Sequence, residues 1–328
     1  MTRSTTHDQD EAARSRIKRS AAALSIAVNV LLLTMKAIAA AVTGSVALWA
    51  SAADSMLDLT ASGFAYLGVR VGSRPPDDSH AYGHEKFESL SSLIQLGLLF
   101  VTVGVIASEA FDRLQGAPGV STPGYGVAVI VVSMIVDVWI SRRLQAAADT
   151  SGGSQALAAD ALHFATDVWS NGAVIIGLAA AGAGFPLGDP IAALVVAALV
   201  ALTAMRLLRD TAAVLTDRAP DEATVRSIID VIHSFPEVHE HHTLRARLVG
   251  SRIFLDVCVE LDADLTFKHA HDITHQMQDR LRQSVPDIAD AVIHFEPTGH
   301  PHHQDRAHHM YGFDALAVDE RGTTREER

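Results

Sequence analysis

Long runs of Ala, Val, Leu and Ile fill the chain from about Ala21 to Leu208 and then stop. A helix needs about 20 mostly apolar residues to cross a bilayer. Six segments come close enough to that length: Ala21–Val42, Val46–Val69, Ser89–Phe111, Gly126–Ile140, Ala156–Gly182 and Pro186–Leu208. The fourth is short and contains Asp137, yet Val127–Val136 followed by Trp139 is too apolar to place in water. Beyond Pro220 the pattern becomes that of amphipathic elements. It predicts a helix at Glu222–Ser234, a strand at His242–Val249, a tight turn at Gly250–Ser251 and a strand at Arg252–Leu261, then a helix at Phe267–Gln283 and a strand at Asp290–Phe295. The alternation of Ile253, Leu255, Val257 and Val259 is that of a half-buried strand, and two helices on one face of three strands make a small two-layer module. The expected fold class is therefore an α-helical membrane protein with six transmembrane helices plus a cytoplasmic α+β C-terminal domain of order αββαβ. Its expected parts are an N-terminal tail (residues 1–19), the six-helix domain (20–212), the cytoplasmic domain (213–298) and a polar, His-rich, disordered tail (299–328).

Composition agrees with that division. The 328 residues are 48% hydrophobic and 20% charged, and the mean hydropathy is +0.20, too apolar for an ordinary soluble domain. The net charge of −12 speaks against nucleic acid as a partner, because phosphate-binding surfaces need clustered Lys and Arg. The lone Cys258 excludes an intrachain disulfide and suits a reducing compartment. Met1–Asp10 is polar and acidic, so no removable signal peptide is expected and the first span serves as the membrane address. Lys and Arg flank every second loop: Arg14, Arg16, Lys18 and Arg19; Arg70, Arg74 and Lys86; Arg142 and Arg143; Arg206 and Arg209. Positive residues favour the cytoplasmic side, which places both termini in the cytoplasm of a cell whose inner membrane holds the chain.

The second and fifth runs carry acids where none belongs. Asp54 and Asp58 stand four residues apart in the second run, and Asp160, His163 and Asp167 fall at i, i+3 and i+7 in the fifth. Each set shares one face of its helix. An ionised carboxylate at mid-span costs roughly 2.5–3.5 kcal/mol on insertion scales, so several together need compensation. Asp54, Asp58, His163 and Asp167 offer the four ligands that zinc prefers. Without metal the same groups can take up protons, which makes metal and proton competitors for one site. The plain alternative makes them interhelical hydrogen-bonding groups or partners of basic residues, but Lys36 is the only basic residue well inside the spans. Asp160 lies nearer the cytoplasmic end and reads either as a ligand or as an outer support, and Asp137 reads as a partner of Arg142 or Arg143.

These residues, with the A-D-x-x-x-D of Ala53, Asp54 and Asp58, the H-x-x-x-D of His163 and Asp167 and the stretch DDSHAYGHEKFE at 77–88, resemble the cation diffusion facilitator family from about Ser20 to Pro297. The resemblance implies a Y-shaped homodimer joined through metallochaperone-like cytoplasmic domains, exporting metal from the cytoplasm against proton entry. It implies that Asp54, Asp58, His163 and Asp167 form the transport site, in the Asp-Asp/His-Asp arrangement of zinc carriers, with Fe2+, Cd2+ and Co2+ as alternative cargo. It implies a second site at Asp77, His80 and His84 in the loop after the second span, unless those histidines only hydrogen-bond locally. It implies a third, regulatory zinc site in the cytoplasmic domain at His242, His271, His294 and Glu296. There Cys258 takes the place of an expected histidine, and Glu296 that of an aspartate. Cys258 is then either a thiolate ligand or a small buried hydrophobe. Lys86 and Asp217 match positions of an interlocking salt bridge at the dimer interface.

The expected function is proton-coupled efflux of a divalent cation, zinc first, by a secondary transporter that is not an enzyme. No Gly-rich phosphate loop with Lys-Ser/Thr is present to use ATP. The rival functions are a membrane-anchored metal sensor, which needs no ligands deep in the spans, and a monovalent cation/proton antiporter, which has no use for His163. The tail histidines His300, His302, His303, His308 and His309 are expected to collect metal only loosely.

Overall fold

The structure is a computed structural model that describes residues 4–43, 46–116, 124–182, 185, 187–285 and 287–299. The expected tail after Gly299, with its histidines, lies outside the described residues. The chain divides into two compact units, Met1–Leu215 and Thr216–Arg328.

The first unit holds six long helices: α1 (Ser4–Thr43), α2 (Val46–Gly72), α3 (Lys86–Leu114), α4 (Gly124–Thr150), α5 (Gln155–Gly182) and α6 (Gly188–Leu215). Three contain windows long and apolar enough to cross a membrane, at Ala12–Val42, Lys86–Leu114 and Pro190–Leu215. The others, α2, α4 and α5, carry Asp residues within their apolar runs. The unit is apolar outside and keeps a set of polar groups within. Leu31, Ile38, Val101, Ile135, Ile176 and Leu202 are exposed, whereas Ser25, Asn29, Asp58, Ser62, Asp160 and His163 are buried. Lipid rather than water suits such an exterior, and buried polar groups in that setting must satisfy one another.

Helix packing follows side-chain size. α1 lies on α2, α4 on α5 and α3 on α6. One apolar cluster joins Val28 and Leu32 of α1 to Ile140 and Leu144 of α4 and Leu157 and Phe164 of α5. Another joins Leu96 and Leu99 of α3 to Val200 and Ala204 of α6. At Gly68 a Cβ would fall 2.4 Å from the Ser91 Cβ, so α2 and α3 touch backbone to side chain there. The Ser91 hydroxyl, donating to the Phe64 carbonyl at 2.7 Å, marks the same approach. At one end of the unit Lys18 of α1 pairs with Glu88 of α3 at 2.9 Å, and the Ser154 hydroxyl just before α5 donates to the other Glu88 oxygen. All three side chains are buried.

Three helices run well past the apolar segments that announce them, α6 by continuing from Leu208 to Leu215. α1 starts at Ser4, and α4 continues past Ile140 to Thr150 because Leu144, Ala147 and Ala148 keep a buried stripe on a segment whose other face is charged. Gly152 and Gly153, both at positive φ, then reverse the chain into α5.

The second unit runs α7 (Glu222–His233), β1 (Val238–Val249), β2 (Arg252–Leu261), α8 (Phe267–Ser284) and β3 (Ile288–Pro297). Asp221 caps α7 by accepting from the Thr224 N–H at 2.8 Å, and Thr266 caps α8. The sheet order is β1-β2-β3, with β1 antiparallel and β3 parallel to β2. Leu255, Val257, Val259 and Leu261 turn one face of β2 into a core shared with Ile228 and Ile232 of α7 and Ile273, Met277 and Leu281 of α8. β1 starts earlier than its alternation suggests, because a bulge between His242 and Arg245 puts both His241 and Leu244 on the core side.

Candidate metal centres

Between α2 and α5 the structure brings together Asp58, His163 and Asp167, each offering one ligand atom within 4.8 Å of the others. The Asp58 Oδ1 lies 2.9 Å from the His163 Nε2. Asp58 and His163 are each only 7% exposed. Asp54 stands one turn earlier on α2, is exposed, and lies outside that group. Small residues make the approach of the helices possible: Ala61, Ser62 and Ala65 on α2 and Ala159 and Ala161 on α5 are all buried.

A polar network supports the group from one side. The Asn29 amide donates to the Ser62 hydroxyl at 2.7 Å and to the Asp58 carbonyl at 3.4 Å. The Ser25 hydroxyl donates to Ser62 at 2.7 Å, and Ser62 donates to the Asp160 Oδ1 at 2.7 Å. Asp160 thus stands in a fully buried network beside the group and not in it. Lys36 donates to the Ser55 hydroxyl at 2.6 Å. Asp137 does not behave as its sequence neighbours suggest. Arg143 lies over the Trp139 ring at 5.8 Å, and among the described residues no ion pair joins Asp137 to Arg142 or Arg143.

The loop between α2 and α3 gathers Asp77, His80 and His84 into a second group within 4.8 Å. The Asp77 Oδ1 accepts from the Ser79 hydroxyl at 2.7 Å and from the backbone N–H groups of His80 and Ser79 at 2.8 and 3.0 Å. These donors, the Ser79 hydroxyl foremost, hold the carboxyl well below the usual carboxylate range. The Asp77 Oδ2 faces the His84 Nε2 at 3.2 Å. His84 donates from Nδ1 to the Pro75 carbonyl at 3.1 Å. That bond leaves Nε2, on the Asp77 side of the ring, as the nitrogen open to a metal ion held with the carboxylate. The His80 and His84 rings sit 4.4 Å apart between centroids.

The third group, His242, Cys258 and Glu296, lies on the face of the module's sheet away from the helices. Register explains it: His242 is opposite Cys258 across β1 and β2, and Cys258 is opposite His294 across β2 and β3, two residues before Glu296. The Glu296 carboxylate reaches the His242 Nε2 at 3.7 Å and the His294 Nε2 at 3.3 Å. Burial, then the charge and hydrogen bond of Glu296, push the Cys258 thiol up to about 12. Two residues expected at this site stand apart from the trio. His294 is largely exposed beside Glu296, and His271 sits on α8, which covers the opposite face of the sheet. His271 instead meets His275 one turn along, with the two Nε2 atoms 3.2 Å apart. That pair, at i and i+4, is readable from the helix period; the part-buried His233–His241 contact at 2.7 Å, between α7 and β1, is not. Asp217 pairs with Arg247 at 3.4 Å, and His239 with Asp262 at 2.6 Å.

Comparison with known proteins bears on most of the chain. Residues 22–216 match the cation efflux transmembrane domain, and residues 220–298 match the cytoplasmic domain of cation efflux proteins. The cation-efflux pump FieF of Serratia proteamaculans (strain 568) is 34% identical over 86% of this chain and 94% of its own length. Its namesake from Salmonella typhi is 32% identical over 86% and 93%. The metal-bound C-terminal domain of the CzcD transporter from Thermotoga maritima is 33% identical over 24% of this chain and 91% of its own, with a TM-score of 0.23. Two domain matches in sequence order and relatives aligned almost end to end show that the chain belongs to the cation efflux, or cation diffusion facilitator, family.

Proposed function

We propose that this membrane transporter exports a divalent cation, zinc first and Fe2+, Cd2+ or Co2+ as alternatives, from the cytoplasm in exchange for protons. The observation that carries the reading is the group of Asp58, His163 and Asp167, drawn together between two helices whose outer surface is apolar. Two carboxylates and an imidazole at that depth require positive charge, and a dication or protons supply it in turn. Asp54, one turn along α2, completes four ligands when the cation binds.

In this reading the six helices of the first unit all span the inner membrane, with both termini in the cytoplasm. The cation displaces protons from the group on the cytoplasmic side. After reorientation, protons entering from outside displace the cation. Asp77, His80 and His84 form a peripheral site in the loop, and His242, Cys258 and Glu296 form a regulatory zinc site in the cytoplasmic domain, through which two copies pair. His294, at 3.3 Å from Glu296, can share an ion with that carboxylate, and His271, on the helix side of the sheet, can join only by movement or from a second copy.

The test is zinc flux into proteoliposomes with and without a pH gradient. Asp58→Ala and Asp167→Ala are expected to lower flux at least a hundred-fold, and collapse of the gradient to slow the unsubstituted protein. Wild-type flux in either variant would remove the proposed site, and flux indifferent to the gradient would remove the proton exchange.

A further inference from the structure

α4 contributes nothing to the three ligand groups, yet its buried stripe changes character along its length. Ile140, Leu144, Ala147 and Ala148 are apolar and packed into the α1, α4 and α5 cluster, whereas Ser133 and Asp137, on the same stripe, are polar. Asp137 is 3% exposed and Ser133 2%. The Asp137 Oδ1 and the Ser133 hydroxyl are both buried without a hydrogen-bond partner. An orphaned buried carboxylate oxygen is costly, and it persists where something else comes to meet it.

The register of the two helices says what it faces. The Ser141 hydroxyl of α4 donates to the Ala161 carbonyl of α5 at 2.8 Å. The helices are joined by a short turn and run antiparallel, so one turn along α4 from Ser141 to Asp137, roughly 6 Å, is matched on α5 by the turn from Ala161 to Ala165. Asp137 is therefore level with the stretch between His163 and Asp167. The charge of Lys36 acts most strongly on Asp137, followed by those of Asp58 and His163, and the charge of Asp137 acts in turn on Asp167. Asp137 stands outside the 4.8 Å group itself.

We propose that Asp137 is a further carboxylate of the transport centre, giving an oxygen to the bound cation directly or through one water and so extending the cargo to dications that take more than four, oxygen-rich ligands. This rests on the transport-site reading above. Four ligands with one imidazole satisfy tetrahedral zinc. Manganese(II) prefers six oxygen-rich ligands, which those four leave incomplete, and an added carboxylate narrows its disadvantage against zinc. Ser133, a turn beyond Asp137, lies on the same polar part of the stripe.

The test is flux of Mn2+ and Zn2+ into proteoliposomes holding the full chain, either unsubstituted or with Asp137→Asn. The Mn2+:Zn2+ flux ratio is expected to fall at least ten-fold in the variant. An unsubstituted protein that carries no Mn2+, or an unchanged ratio in Asp137→Asn, would overturn the proposal, since a purely structural role lowers both fluxes together. If Asp137→Asn does not fold, Asp137→Glu is read in its place: moving the carboxylate by one methylene must shift the ratio at least three-fold, and an unshifted ratio overturns it. Asp58→Ala is the separate control. Loss of both fluxes there keeps the transport-site reading while the Asp137 arm decides this one, and flux of both ions despite Asp58→Ala removes the underlying reading instead.

Discussion

Cys258 shows how one residue's surroundings set its chemistry. Its thiol, pushed up to about 12 by burial and by Glu296, is protonated at neutral pH. A metal that binds there must displace that proton, so affinity at the cytoplasmic site should rise with pH. Between pH 6 and 8 zinc titration calorimetry is expected to show a gain of about ten-fold per pH unit from the one proton. Cys258→Ser should weaken binding by at least ten-fold and flatten that dependence. The sequence left open whether this residue is a ligand or a packed hydrophobe. The register decides its neighbourhood, because His242 opposite it and Glu296 on the next strand fill the space around its sulfur. Spacing along the chain could not reveal this, nor that His271 belongs to the other layer, since the side of a sheet that a helix covers is a tertiary fact.

At the scale of elements, apolar runs and amphipathic periods located all six long helices and the αββαβ order, but not where α1, α4, α6 and β1 begin or end. Arg142 and Arg143 look like the end of a span, yet they ride on the exposed side of a helix that continues to Thr150. The β1 bulge breaks the alternation by which a strand is recognised. Two predictions belong here. Gly68→Leu places bulk where even a Cβ would lie 2.4 Å from Ser91, so α2 and α3 must part; zinc flux should fall by more than ten-fold along with the melting temperature. In the cytoplasmic domain, Asp221 is held below its usual range by the backbone N–H and then the side-chain hydroxyl of Thr224. Its contribution is therefore present above the ordinary carboxylate range and lost as pH falls through the lowered value. Asp221→Ala should melt a few degrees lower at pH 7, and the gap should close as pH drops well below about 4.

Across the whole first unit, the buried pairing of Lys18 with Glu88, joined by Ser154, ties α1, α3 and the start of α5 at one end of the helix bundle. Breaking one side of a buried pair strands the other charge, at a cost of about 3–5 kcal/mol. Lys18→Met should lower thermal stability accordingly, and the double variant Lys18→Met/Glu88→Gln should recover most of the loss, as thermal melts in detergent can establish. The chain also holds two kinds of ligand set: oxygen and imidazole alone at Asp58, His163 and Asp167, and sulfur as well at His242, Cys258 and Glu296. Thiophilic ions therefore favour the second set over the first. On the regulatory reading proposed above, a mercury- or silver-like poison would seize the cytoplasmic domain at doses too small to reach Asp58, His163 and Asp167, jamming the control without ever becoming freight.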